Sequence, residues 1–244
     1  MDVPLLSQGS NLGDDTDSGM LQSVQSVVFY LPVDDYRPFV ERLTSAGPLP
    51  DAFNPYAGEG PAAVRRNNLM LYLARMAKRQ PRVLLVGEAP GYRGGRVTGV
   101  PFTSEAILLG AVSPFGLFGA AAGFRGCPEP GVRRREATAT VVWEVLADLN
   151  QLPLLWNAFP YHPHRPDCLD SNRTPTAAEL AVGQWAIAEL LRLYAITQVV
   201  AIGRRAEKAL ALAGIPAAAV RHPAHGGKTD FARELGAVLR QVRA

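Results

Sequence analysis

Val83-Leu84-Leu85-Val86-Gly87-Glu88-Ala89-Pro90-Gly91 decides the architecture of this chain. Four successive aliphatic residues suit a strand covered on both faces, as in the centre of a parallel sheet. Gly87, Pro90 and Gly91 then force the chain to stop and turn around a single carboxylate, Glu88. Three more short apolar runs have the same form: Pro153-Leu154-Leu155-Trp156, Gln198-Val199-Val200-Ala201-Ile202 and Ala217-Ala218-Ala219-Val220. Helical patterns lie before and between them. Pro61 to Lys78 carries Leu69, Leu73 and Met76 on one face. Glu136 to Leu149, Thr176 to Ala195, Arg205 to Ala213 and Asp230 to Val242 follow. Thr176-x-x-Glu179 has capping-box spacing, and Gly214 stands where a left-handed stop is needed. Alternating strands and helices predict an α/β fold, a three-layer α/β/α sandwich around a four-stranded parallel sheet.

That unit is expected to occupy residues 61–244. Residues 1–60 form an N-terminal extension, packed on the core or loosely attached. Residues 1–24 are polar and expected to be loose, and Val27-Val28-Phe29-Tyr30 is a short apolar run followed by many prolines. Residues 113–135 are Gly-, Pro- and Ala-rich, end in Arg133-Arg134-Arg135, and are expected to be a loop.

Composition narrows the function. The 244 residues are 48% hydrophobic and 19% charged, an ordinary globular balance. No stretch approaches the roughly 18 apolar residues of a membrane helix. The first twenty residues lack the basic and apolar regions of a secretory signal. With only Cys127 and Cys168, neither a disulfide framework nor a four-cysteine cluster fits one chain, and a reducing cytoplasm is the expected setting. Residues 1–60 hold nine acidic and two basic side chains, whereas residues 61–244 hold 23 basic and 13 acidic ones. A basic body suits a polyanionic partner such as nucleic acid, although solvated arginine-rich helices would give the same count.

In parallel sheets functional groups collect after the carboxyl ends of the strands. The first strand is followed by Gly87-Glu88-Ala89-Pro90-Gly91, Gly94-Gly95 and Thr98-Gly99-Val100-Pro101-Phe102. The second is followed by Asn157 and Phe159-Pro160-Tyr161-His162-Pro163-His164, and the fourth by Arg221-His222-Pro223-Ala224-His225-Gly226-Gly227-Lys228. All four histidines fall in two of these loops. The glycines match neither a Walker motif nor G-x-G-x-x-G, so a nucleotide cofactor is not expected.

These segments, in this order over residues 83–230, resemble the uracil-DNA glycosylase superfamily. Gly87-Glu88-Ala89-Pro90-Gly91 is similar to the first motif of its iron–sulfur branch. Thr98-Gly99-Val100-Pro101-Phe102 resembles the segment supplying a stacking ring, Asn157 the base-reading amide, and His222-Pro223-Ala224 the His-Pro-Ser motif. The chain departs from the pattern in three ways. It lacks the cluster cysteines, has Ala224 in place of serine, and carries His225-Gly226-Gly227-Lys228 where an apolar wedge is usual. The resemblance then implies either a cluster-free branch or a target different from plain uracil.

The resemblance implies hydrolytic excision of uracil or a related deaminated base from DNA, without cofactor or metal, by a monomer with no membrane role. Gly87, Ala89, Pro90, Phe102 and Asn157 would hold the flipped base. The Asn157 amide can donate to O4 and accept from N3–H, while Phe102 stacks. His222 would donate to O2 as negative charge develops on the base, and Glu88 would stabilise the sugar cation and orient water. Arg221, Pro223, Ala224, His225, Gly226 and Lys228 would contact the DNA. Duller roles remain open: Glu88 as a helix cap, Phe102 as core, Asn157 as a turn former, His222 as a structural histidine. Trp143, Trp156 and Trp185 read as core. Two other functions also remain open. One is a metal-dependent hydrolase built on His162, His164, His222 and His225. The other is a damaged-DNA-binding relative without catalysis.

Overall fold

The computed structural model describes residues 33–47, 49–110, 115–127 and 135–242. Residues 1–24, Val27-Val28-Phe29-Tyr30, Arg133 and Arg134 lie outside the described residues. The central sheet is formed by β2 (Val83–Gly87), β3 (Leu154–Asn157), β5 (Gln198–Ile202) and β6 (Ala218–Val220). All neighbours are parallel and the spatial order is β3-β2-β5-β6. This is the α/β/α sheet expected from the four apolar runs. The order reverses around β2: one connection leads to β3, and the next crosses back to β5. A crevice at such a switch point is where open α/β sheets bind ligands. Register brings Gly87 opposite Asn157, so the two key turns begin side by side.

The helices match their sequence signals to within two residues. They are α2 (Pro61–Arg79), α5 (Ala137–Asp148), α6 (Ala177–Leu193), α7 (Arg204–Leu212) and α8 (Lys228–Gln241). Thr176 caps α6 through both halves of the predicted box: Glu179 N–H donates to Thr176 Oγ1 and Thr176 N–H to Glu179 Oε2. Gly214 follows α7 with φ +68. The exposed edge of β3 is covered by α2: the Tyr72 hydroxyl accepts from Leu155 N–H at 2.8 Å and lies 3.3 Å from its carbonyl oxygen. Capping an edge in this way removes a template for unwanted strand pairing.

Several elements had no clear sequence signal. The short α1 (Arg37–Thr44) tolerates Pro38 in its first turn and buries Phe39, Val40 and Leu43. Phe39 packs on Trp156 and Trp185. A second, two-stranded sheet pairs β1 (Ala52–Phe53), in the N-terminal extension, antiparallel with β4 (His162–Pro163), in the expected loop after β3. Strands of two residues are too short to show alternation. The same holds for helices α3 (Gly95–Thr98) and α4 (Glu105–Leu109). The insert expected to be a loop is one over described residues 115–127, apart from a 3-10 turn at Ala120–Ala122, and it is anchored: Phe115, Leu117, Phe118 and Phe124 are buried, and Phe118 meets Phe124 and Trp143 edge-on at 5.3 Å. Aromatic burial, not backbone periodicity, holds that segment. Among the described residues no helix is long and apolar enough to cross a membrane.

Candidate active site

Beyond its last register pair the central ladder continues into the turns. Ala158 N–H donates to Gly87 O at 2.8 Å, and Phe159 N–H to Glu88 O at 3.0 Å. Glu88 and Asn157 are therefore held by backbone bonds at the mouth of the switch-point crevice. A cleft of about 930 Å³ opens there, walled by Gly87–Gly91, Phe102, Asn157, the end of β5 and the Arg221–His225 turn.

The floor of the cleft is Gly87. A Cβ there would collide with Phe102 Cζ and come within 2.9 Å of Asn157 Oδ1, so only glycine lets ring and amide converge. Phe102 reaches that position from a left-handed backbone (φ +52), costly for an aromatic residue. The conformation is tied down by Trp143, whose Nε1–H donates to Phe102 O at 2.7 Å. Asn157 is 4% exposed, yet no protein group hydrogen-bonds its side-chain amide among the described residues. Its two N–H donors and its acceptor oxygen therefore stay available to whatever occupies the cleft, water or ligand.

Two ionisable groups face this pocket from opposite turns. Glu88 is partly buried; its Oε1 has no hydrogen-bond partner, and its Oε2 lies 3.4 Å from Arg205 Nη1. Burial pushes its carboxyl up from the usual range, and Arg205 draws it part of the way back. His222 accepts the Ala224 N–H at Nδ1 (3.1 Å), so a neutral ring carries its proton on Nε2. Burial lowers its proton affinity; Glu136 works against that, and Arg221, His225 and Arg205 add to it. The ring is thus kept a neutral donor. Glu136, read from sequence only as a helix start, caps α5 by accepting from the N–H groups of Thr138 and Ala139 while lining the cleft.

The sequence-derived residues divide by position. Gly87, Glu88, Ala89, Pro90, Phe102, Asn157, Arg221, His222, Ala224 and His225 all line the one cleft. Pro223 is buried beneath the turn, while Gly226 (φ +78) lies outside the lining. Lys228 also lies outside, its Nζ 2.7 Å from Glu144 Oε2. His162 is fully buried: Nδ1 lies 2.8 Å from Pro90 O and Nε2 3.0 Å from Leu169 O. Its ring nitrogens are taken up by the backbone, so the four-imidazole metal centre does not assemble. Among the described residues no group of three or more His, Cys, Asp or Glu side chains is placed to hold a metal.

Sequence reasoning missed Glu136, Asn172, Arg173, Arg204 and Arg205, which also line the cleft. Arg204 and Arg205 had a usable signal. They follow Gly203 at the end of β5, and the loop after a parallel strand's carboxyl end is where functional groups collect.

The family described as the Uracil DNA glycosylase superfamily matches residues 75–239, two thirds of the chain, and the match spans β2 through most of α8. The protein belongs to that superfamily. No curated protein matches the sequence.

Proposed function

We propose that this protein is a monofunctional DNA glycosylase that flips uracil, or a related deaminated base, out of DNA and removes it with water. One observation carries the reading: the Asn157 amide, open to the cleft and without a protein partner among the described residues, converges with the Phe102 ring over a side-chain-free Gly87. An apolar face beside an unclaimed donor–acceptor pair suits a planar base with a carbonyl next to an N–H. Such a pocket is reached only by a base taken out of the stack.

The rest of the cleft supports the chemistry. The C1′–N1 bond breaks with its electron pair going to the base. His222 Nε2–H donates to O2 as that charge develops, where a fixed donor is most effective. The Glu88 carboxylate attracts the cationic sugar and orients the water whose oxygen adds to C1′. That water gives up one proton, and the departing base finally takes one up. Arg221, Ala224 and His225 lie on the rim, where the backbone of a flipped nucleotide would run. Pro223, Gly226 and Lys228 belong to the same turn and would shape or extend that contact.

The test is an oligonucleotide panel carrying different damaged bases, scored for abasic sites. Uracil or another deaminated base should be released. Asn157→Asp, which sets acceptor against acceptor at O4, should reduce uracil excision by roughly 10³-fold or more. Uracil excision by Asn157→Asp at the parent rate would remove Asn157 from the pocket. Tight binding of uracil-DNA without base release would identify a binding protein instead.

A further inference from the structure

The end of β5 carries a cation that the reaction above does not use. Gly203, with φ +82, turns the chain directly into α7 at the lip of the cleft. From the first turn of that helix Arg205 reaches across 117 residues of sequence to Glu88, Nη1 to Oε2 at 3.4 Å. The contact is long and engages one oxygen. The Arg205 side chain is 67% exposed, against 26% for Glu88. Its neighbour Arg204 lines the same lip and makes no ion pair among the described residues.

This placement conflicts with the role of Glu88. A carboxylate that attracts a sugar cation should offer its negative field to the sugar. A guanidinium beside the same oxygen opposes part of that field. Left in place, Arg205 would weaken the group it touches. A phosphodiester resolves the conflict, because its two free oxygens match the guanidinium fork and carry a full charge. An exposed, single-contact ion pair is weak enough to be exchanged for one.

We propose that Arg205 couples DNA binding to catalysis: it covers Glu88 in the free protein, and a phosphate flanking the flipped nucleotide draws it off, freeing the carboxylate for the sugar cation. Arg205 is then a positioning residue, acting through Glu88, and the role given to Glu88 rests on the glycosylase reading above. The exchange also explains why a half-buried carboxylate is supplied with a cation from a mobile-length side chain on the surface. In the free protein Arg205 offsets the burial that favours protonating Glu88. In the complex the developing sugar charge takes over that office.

The experiment uses the full chain and duplexes with a single uncharged methylphosphonate placed in turn at each phosphate near the target base. Single-turnover excision is measured at saturating protein for the parent, Arg205→Gln and Arg205→Lys. One methylphosphonate position should slow the parent and Arg205→Lys by about tenfold or more, and Arg205→Gln by less than about twofold. Equal slowing in the parent and Arg205→Gln, or no sensitive position at all, overturns the proposal. Should the parent release no base, the glycosylase reading fails separately. Affinity for the same duplexes then decides. Methylphosphonate and Arg205→Gln losses that do not add keep the phosphate contact, and additive losses remove it.

Discussion

Two turns at the same end of the sheet hold all four histidines, and they use them in opposite ways. In the turn after β3, His162 lies buried in β4 with both ring nitrogens against backbone carbonyls. In the turn after β6, His222 spends one nitrogen on its own loop and keeps the other for the cleft. Both histidines precede a proline, and burial lowers the proton affinity of both. The two imidazoles differ in how many ring nitrogens face backbone groups, two in His162 and one in His222.

The sharpest way to break this contrast is His222→Ala. It should slow base excision by about 10²- to 10³-fold in single-turnover assays with little change in DNA affinity, because the donor acts where charge develops. A parallel loss of affinity and rate would make His222 as structural as His162. The β3 turn should fail differently. Arg173 makes a two-pronged pair with Glu179 (2.6 and 2.7 Å) and donates to the carbonyls of Pro50, Asp51 and His164. Arg173→Met strands a carboxylate whose side chain is 7% exposed and should cost about 3 kcal/mol in urea unfolding. Burial pushes Glu179 up, but Arg173 and the Thr176 N–H outweigh it, and its carboxyl ends below the usual range. That stabilisation is therefore present above the ordinary carboxylate range and is lost as pH falls through the lowered value. A parent protein equally stable on both sides of that window would refute the pairing.

Sequence patterning carried the sheet because its strands are uninterrupted aliphatic runs between turn residues. The core of the candidate cleft was legible because Gly87, Glu88 and Asn157 sit directly at strand ends, where position follows from topology. What could not be read depended on long-range geometry. Nothing local marks His162 as buried, since the carbonyl of Pro90 that faces it is 72 residues away. Glu136 looks like any helix opener until α5 is laid beside the cleft. The four histidines suggested one cluster because sequence gives the shared end of the sheet but not the direction of the rings.

Two smaller effects refine the comparison. His162→Phe keeps a ring but removes the N–H that a neutral imidazole donates to one of the two facing carbonyls, so it should cost roughly 2 kcal/mol of stability, with the rate per folded molecule affected much less than by His222→Ala. The smallest effect is in pH. Between its lowered folded value and the ordinary 6.5, His222 stays neutral in the native state but is protonated when unfolded. Stability should therefore decline as pH falls through that window, and His222→Gln should remove this part of the slope. Excision should stay level through the ordinary imidazole range. A rate that halves at or above 6.5 and follows His222 in mutants would contradict a neutral donor.

The small β1–β4 sheet sets a schedule for the nascent chain. Tyr161 donates through its hydroxyl to Leu43 O, 118 residues earlier, beside the pairing of Phe53 with His162. At translation rates of about 5–20 residues per second, the early segment waits on the order of 6–24 s before its partner exists. During that interval the face of α1 that will meet Trp156 and Trp185 has no aromatic cover. The contact between α1 and the two tryptophans is thus completed by residues made well over a hundred positions after the helix they cover.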